Sequence, residues 1–339
     1  QNFPKIELHV HLDGSFNTTE LWDHLQSNPH MIHSCTTSLD YTRLCTCLQG
    51  SLEDMLLCFQ FFLPLVYNNY DLLEHLAYDF VKRQKEQNVI YTEVRYSPHM
   101  LAKDPRMAHQ SITIGLRRGC IDAATATATD DIIIVNQILC GIDFQPDWSN
   151  DVIDMAYEFR LDFPCAVVGV DVAAGETHFA ADSPFHNAHL DMCRKAKQLG
   201  IPVTIHAGET PDSSQNVRAA ILDYGAKRIG HGYRISNNDD IIELAKSKNI
   251  NFETCPTSSI ETGGWIKTNW LDHPARKFRN KGLKISLSSD DPAVFNTSLT
   301  WQWRIGLKKL GWNFEDVFEI LDDTIDASFA PEDQKEKIR

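Results

Sequence analysis

Residues 6–12, Ile6-Glu7-Leu8-His9-Val10-His11-Leu12, alternate apolar and polar side chains with the period of a β-strand, which sends His9 and His11 to one face. Seven further short runs rich in β-branched residues follow, at 89–96, 132–142, 166–172, 203–206, 228–231, 251–255 and 284–287. Several are almost continuously apolar, as parallel strands covered on both faces are. Helical stretches such as 72–86, 185–199 and 238–247 separate them. Eight β/α units predict a closed α/β barrel of the TIM type, with residues 1–339 forming one domain. The gap between 12 and 89 is too long for one helix and predicts extra helices inserted after the first strand, among them 51–62. Such an insertion would overhang the C-terminal strand ends, where barrel enzymes build their sites. An open doubly wound sheet is the competing fold, but no GxGxxG or GxxxxGK[ST] follows any run.

Two histidines on one strand are most often hydrogen-bonded residues without a ligand role. Here they have company at three other strand ends: His206 in Thr204-Ile205-His206-Ala207-Gly208-Glu209, His231 in Gly230-His231-Gly232, and Asp290-Asp291 after residues 286–289. Neutral imidazoles with one carboxylate suit Zn²⁺, and an incomplete protein set leaves a position for water. The preferred set is His9, His11, His206 and Asp290. Glu209 would lie opposite His206 in a continuous strand, but a turn at Gly208 can swing it back as a general acid/base. The alternative is a carboxylate in the first turn of a helix. His231 reads as a further ligand or as an aligning group, with its two glycines letting substrate approach. Asp291 is either a substrate contact or the N-cap of a helix opening at Pro292. Leu52, Met55, Leu56 and Phe59 recur at helical spacing, as plain core or as a cover over a flat apolar ligand.

Composition narrows the classes. With 42% hydrophobic and 23% charged residues the chain is an ordinary globular one. Its 32 Lys and Arg against 46 Asp and Glu leave a net charge of −14, which opposes nucleic acid and anionic membranes. The most apolar stretch, 55–67, contains Gln60 and Pro64 and is far too short to span a bilayer. Nine cysteines without a CxxC pair suggest neither a disulfide framework nor a zinc ribbon. The expectation is a cytoplasmic monomer acting on a small molecule.

The strand-end motifs form an ordered series: Glu7-Leu8-His9-Val10-His11-Leu12-Asp13-Gly14, Thr92-Glu93-Val94-Arg95-Tyr96-Ser97-Pro98-His99, His206-Ala207-Gly208-Glu209, and Gly230-His231-Gly232-Tyr233-Arg234. Cys255-Pro256 with Ser258-Ser259 and Thr262-Gly263 follows, then Ser286-Leu287 with Asp290-Asp291-Pro292. This series resembles the adenosine deaminase family of the metal-dependent amidohydrolase superfamily. The resemblance implies one zinc per chain on His9, His11, His206 and Asp290. It assigns Glu209 to proton transfer, His231 to orienting the attacking hydroxide, Asp291 to the purine, Asp13 to the ribose, and Ala174-Gly175 to the purine N3 edge. The implied reaction is hydrolysis of adenosine, and of 2′-deoxyadenosine, at C6 to give inosine and ammonia. The alternative is a relative acting on adenine, AMP or an N6-alkylated nucleotide, and Asp13 favours a nucleoside because its charge would oppose a 5′-phosphate. A growth-factor-like scaffold without catalysis is the rival from another class, disfavoured by the complete ligand set. The chain departs from the family at Ala174, where a glycine is usual, and at Thr257 and Ser288-Ser289.

Overall fold

The computed structural model describes residues 3–27, 35–125, 133–266 and 268–339. Eight parallel strands are present: β1 (Lys5–His11), β2 (Val89–Tyr96), β3 (Ile134–Ile142), β4 (Val167–Ala173), β5 (Thr204–Ala207), β6 (Arg228–His231), β7 (Asn251–Thr254) and β8 (Lys284–Leu287). They match the eight expected runs to within two residues at each end, save that Ile132 lies outside the described residues. β1 to β4 pair in order, as do β5 to β8. A single bridge joins the two sheets at each seam, Val170 with Val203 and Val10 with Asp290. At the second seam His11 N donates to Asp290 O (2.9 Å) and Asp290 N to His9 O (3.1 Å). The backbone that closes the barrel is therefore the backbone that carries the candidate ligands.

Helices cover the outside. Tyr70–Glu86 buries Leu73, Leu76, Ala77, Phe80, Val81 and Gln84, one stripe at helical period, and starts where the Asn69 side chain caps Leu72 N. The insertion after β1 holds the helices Thr18–Gln26, Ser38–Leu44, Leu52–Cys58 and Leu63–Val66. Ser51 and Asp54 form a reciprocal capping box at the start of Leu52–Cys58. That cap fixes the start of the helix whose Leu52, Met55 and Leu56 line the pocket. Among the described residues no helix is long and apolar enough to cross a membrane.

The interior of the barrel is charged rather than aliphatic. Glu93, Arg95, Asp171, Arg228 and Glu253 are buried there. Arg95 donates to Asp171 (2.7 Å), Glu253 (2.8 Å) and the carbonyl of Leu8 (2.6 Å). Arg228 reaches Glu253 and Glu93, each at 2.6 Å. Buried ions are tolerated only when paired and hydrogen-bonded, and these are.

Candidate active site

The imidazoles of His9 and His11 both point into the barrel mouth from β1, as the strand period predicts. His9 Nε2 lies 3.0 Å and His11 Nε2 3.5 Å from Asp290 Oδ1, and His11 Nε2 lies 3.3 Å from His206 Nε2. Ligand atoms about 2.0–2.2 Å from a tetrahedral ion stand about 3.3–3.6 Å apart, so this spacing suits one ion. Hydrogen bonding supplies an independent fit. Glu253 Oε2 holds His9 Nδ1 at 2.7 Å, and Asp171 Oδ2 holds His206 Nδ1 at 3.0 Å. Each carboxylate accepts a hydrogen bond from the Nδ1–H of its histidine, which leaves an Nε2 lone pair facing the others. His9 Nε2 is buried and makes no hydrogen bond. Lone pairs converging on a carboxylate oxygen repel unless a cation sits between them, so the residues present fit a bound metal.

The backbone at the strand ends is strained to make this arrangement. Ala174, His231 and Asp290 adopt φ of 69°, 65° and 66°, left-handed values that non-glycine residues rarely take. Each costs about 1–3 kcal/mol and persists where the surroundings impose it, commonly at functional sites.

His231 is brought to the same cluster, its Nε2 3.6 Å from Glu209 Oε2 and 3.9 Å from Asp290 Oδ2. Burial lowers its pKa to about 3, so the ring is neutral. The expected role of its flanking glycines is corrected by the packing. A Cβ on Gly230 would stand 2.9 Å from His9 Cε1, and one on Gly232 would stand 2.4 Å from the Phe252 ring. These glycines make room for protein side chains, not for substrate.

Gly208 turns the chain with φ of 77°, and Glu209 comes back over the site. The next helix begins only at Ser214, so Glu209 is not a first-turn helix residue. Thr262 Oγ1 lies 3.1 Å from its Oε1. Burial and the neighbouring Asp290 charge push the Glu209 carboxyl up to about 8. Asp291 is likewise no helix N-cap, because the next helix opens at Leu299 and is capped by Ser298. Its carboxyl is driven well above the usual range by burial and by Asp290, and Oδ1 is buried without a hydrogen-bond partner among the described residues.

Leu52, Met55, Leu56, Phe59 and Asp13 wall the pocket above the cluster, with Ala174 and Gly175 opposite. Burial lifts Asp13 to about 6. Thr257 lies outside the pocket lining and pairs with Gln302 instead. Sequence reasoning missed Asp171, Glu253 and Arg95, and also Ser97, Met100 and Phe144 on the wall. A signal for the first three existed, since each is an ionisable residue inside an otherwise buried strand.

The sequence model of the adenosine deaminase family matches residues 4–339. An adenosine deaminase from Xenopus tropicalis is 31% identical over 352 residues, covering 99% of this chain and 94% of the relative. One from Clostridium perfringens (strain SM101) is 31% identical over 344 residues, covering 100% and 97%. Among solved structures, an Arabidopsis N6-mAMP deaminase superimposes with a TM-score of 0.82 at 25% identity, covering 100% of this chain and 97% of its own. With the family match running from the first strand to the last residue, the chain belongs to the adenosine deaminase family of hydrolases.

Proposed function

We propose that the protein hydrolyses the 6-amino group of adenosine, and of 2′-deoxyadenosine, to give inosine and ammonia. The observation that carries the reading is a carboxyl group, Glu209, lifted to about 8 and facing the same pocket as the imidazoles of His11 and His206 and the carboxylate of Asp290, with the buried imidazole of His9 3.0 Å from Asp290. Those four residues would hold one zinc. Zinc, when bound, supplies a Lewis acid that makes water nucleophilic near neutral pH.

The remaining chemistry belongs to the chain. Protonated Glu209 donates to purine N1, which breaks the ring's aromaticity and makes C6 electrophilic. Neutral His231, within 4 Å of both Glu209 and Asp290, accepts a hydrogen bond from the attacking water and fixes its direction. One proton of the attacking water returns to Glu209 and the other passes to the exocyclic nitrogen, the C6–N bond breaks, and ammonia leaves. Protonated Asp291 donates to N7, which in neutral adenosine can only accept. Leu52, Met55, Leu56 and Phe59 cover the base and exclude water.

A nucleoside suits the pocket better than a nucleotide. No Lys or Arg lines it among the described residues, while Asp13, Glu209, Asp290 and Asp291 all do. A phosphate dianion would meet no compensating charge. Following the loss of adenosine absorbance, with and without a zinc chelator, tests the reaction. Running AMP, N6-methyl-AMP and adenine in parallel tests the substrate. Adenosine should give the highest kcat/KM and the chelator should abolish turnover. A higher kcat/KM for either nucleotide or for free adenine would overturn the substrate reading, and chelator-resistant turnover would overturn the metal reading.

A further inference from the structure

Glu176 is a buried carboxylate that the proposed reaction does not use. It follows β4, behind the pocket wall, and all five of its partners are donors. Gly208 N (2.9 Å) and Asn216 Nδ2 (2.8 Å) reach Oε2. Glu209 N (2.8 Å), Thr210 N (2.8 Å) and Thr210 Oγ1 (3.1 Å) reach Oε1. Three consecutive backbone N–H groups of the loop carrying Glu209 thus converge on one side chain from a different strand, an arrangement that holds an anion tightly.

The rest of that loop is held too. Arg234 Nε lies 3.2 Å from Glu209 O and 3.0 Å from Thr210 O, and Thr262 meets the Glu209 carboxyl. Glu176 is itself pinned from behind. Asp143 accepts from Thr177 Oγ1 (2.6 Å), His178 N (2.8 Å) and His178 Nδ1 (2.6 Å). Just before Glu176, Gly175 runs at φ of 154°, and a Cβ there would come within 2.7 Å of Asp143 Oδ2. Only glycine lets the β4 loop lie this close to Asp143 and still deliver Glu176 to the next loop.

We propose that Glu176 is the positioning residue for Glu209: by gathering the amides of residues 208–210 it sets where the Glu209 carboxyl stands above the pocket. This rests on the reading of Glu209 as the proton carrier. A glutamine at 176 keeps the size but offers one acceptor oxygen and one NH₂. Whichever way it turns, either the Gly208 and Asn216 donors or the Glu209 and Thr210 donors face N–H instead of oxygen. Unpaired buried donors push the loop away, and displacement of a reacting group by about 1 Å can cost 10²-fold in rate.

The test is a double-mutant cycle on zinc-loaded protein, with kcat expressed per bound zinc. Glu176→Gln should lower kcat by about 10- to 100-fold while KM for adenosine and the dissociation constant of 1-deazaadenosine, which has no N1 to protonate, stay within about threefold. In the Glu209→Gln background the same substitution should change kcat by less than about twofold, because nothing remains to be positioned. If Glu176→Gln does not accumulate as folded protein, Asn216→Ala, which removes one donor from Oε2, carries the same cycle with a smaller loss. Equal fold-losses in the two backgrounds would overturn the proposal and leave Glu209 in its role. Near-normal turnover by Glu209→Gln alone would instead remove Glu209 from proton transfer and take the proposal with it.

Discussion

Gly230→Ala should weaken metal binding without unfolding the protein. Gly230 lies within β6 at an ordinary negative φ, so its backbone accepts an L side chain without strain. The added methyl, however, would stand 2.9 Å from His9 Cε1 and 3.4 Å from His206 Cα and Cγ. Relief to an ordinary contact of 3.4 Å requires the His9 ring to retreat by about 0.5 Å. The ring cannot simply rotate, because Glu253 holds Nδ1 at 2.7 Å and Asp290 stands 3.0 Å from Nε2. Metal sites tolerate only about 0.2 Å in ligand distance, and disturbing the groups that orient a ligand costs about 10- to 100-fold in affinity. That is about 1.4–2.7 kcal/mol of binding free energy. Removing a glycine's freedom in the unfolded chain works in the opposite direction, by about 0.4–1 kcal/mol, so the metal-free protein should keep its Tm to within a few degrees. Titrating metal-stripped protein with zinc against a competing chelator measures the affinity, and thermal unfolding measures the fold. A folded Gly230→Ala that binds zinc as tightly as the parent would refute the argument that this glycine sets the position of His9.

His206→Ala and Asp290→Ala should lose zinc, whereas His231→Ala should keep it and lose rate; metal analysis of the three proteins decides, and metal loss by His231→Ala equal to the others would make it a ligand. For 7-deazaadenosine, kcat/KM should fall by at least about 100-fold, since a buried donor at Asp291 is left unpaired. Asp291→Asn, which keeps a donor, should harm adenosine turnover less than Asp291→Ala, and comparable kcat/KM for the two nucleosides would show that Asp291 does not read N7. Acid should destabilise the protein through His109, which burial holds down at about 4 against the backing of Tyr96 and Thr113. The unfolded chain takes up this proton near pH 6.5 and the folded chain only near 4, so the contribution is complete above about 6.5 and lost as pH falls. From pH 7 to 5 the stability advantage of the parent over His109→Gln should shrink by about 2 kcal/mol in urea titrations; a constant gap would contradict it.

The alternation in residues 6–12 and the recurrence of apolar runs located all eight strands, because backbone periodicity is local and each strand's burial on both faces is written into its own residues. Strand ends carrying His9, His11, His206, His231 and Asp290 were legible for the same reason: a polar residue where an apolar run stops has few other uses in a barrel. Helices overhanging the mouth followed from chain length, but helical spacing alone left Leu52, Met55, Leu56 and Phe59 between core and cover, and only the fold set them on the pocket wall. Whether Glu209 and Asp291 belonged to helix starts or to the site was decided only by the fold, since each alternative used the same residue types. So was the job of Gly230, whose neighbour across the barrel is His9. Glu253 is 244 residues from the histidine it orients, and Thr262 is 53 residues from the carboxyl it meets. Side-chain hydrogen bonds at such separations depend on which strands close the barrel side by side and on rotamers chosen by packing. A linear sequence carries the chemistry of each group, but the choice of partner belongs to the tertiary structure.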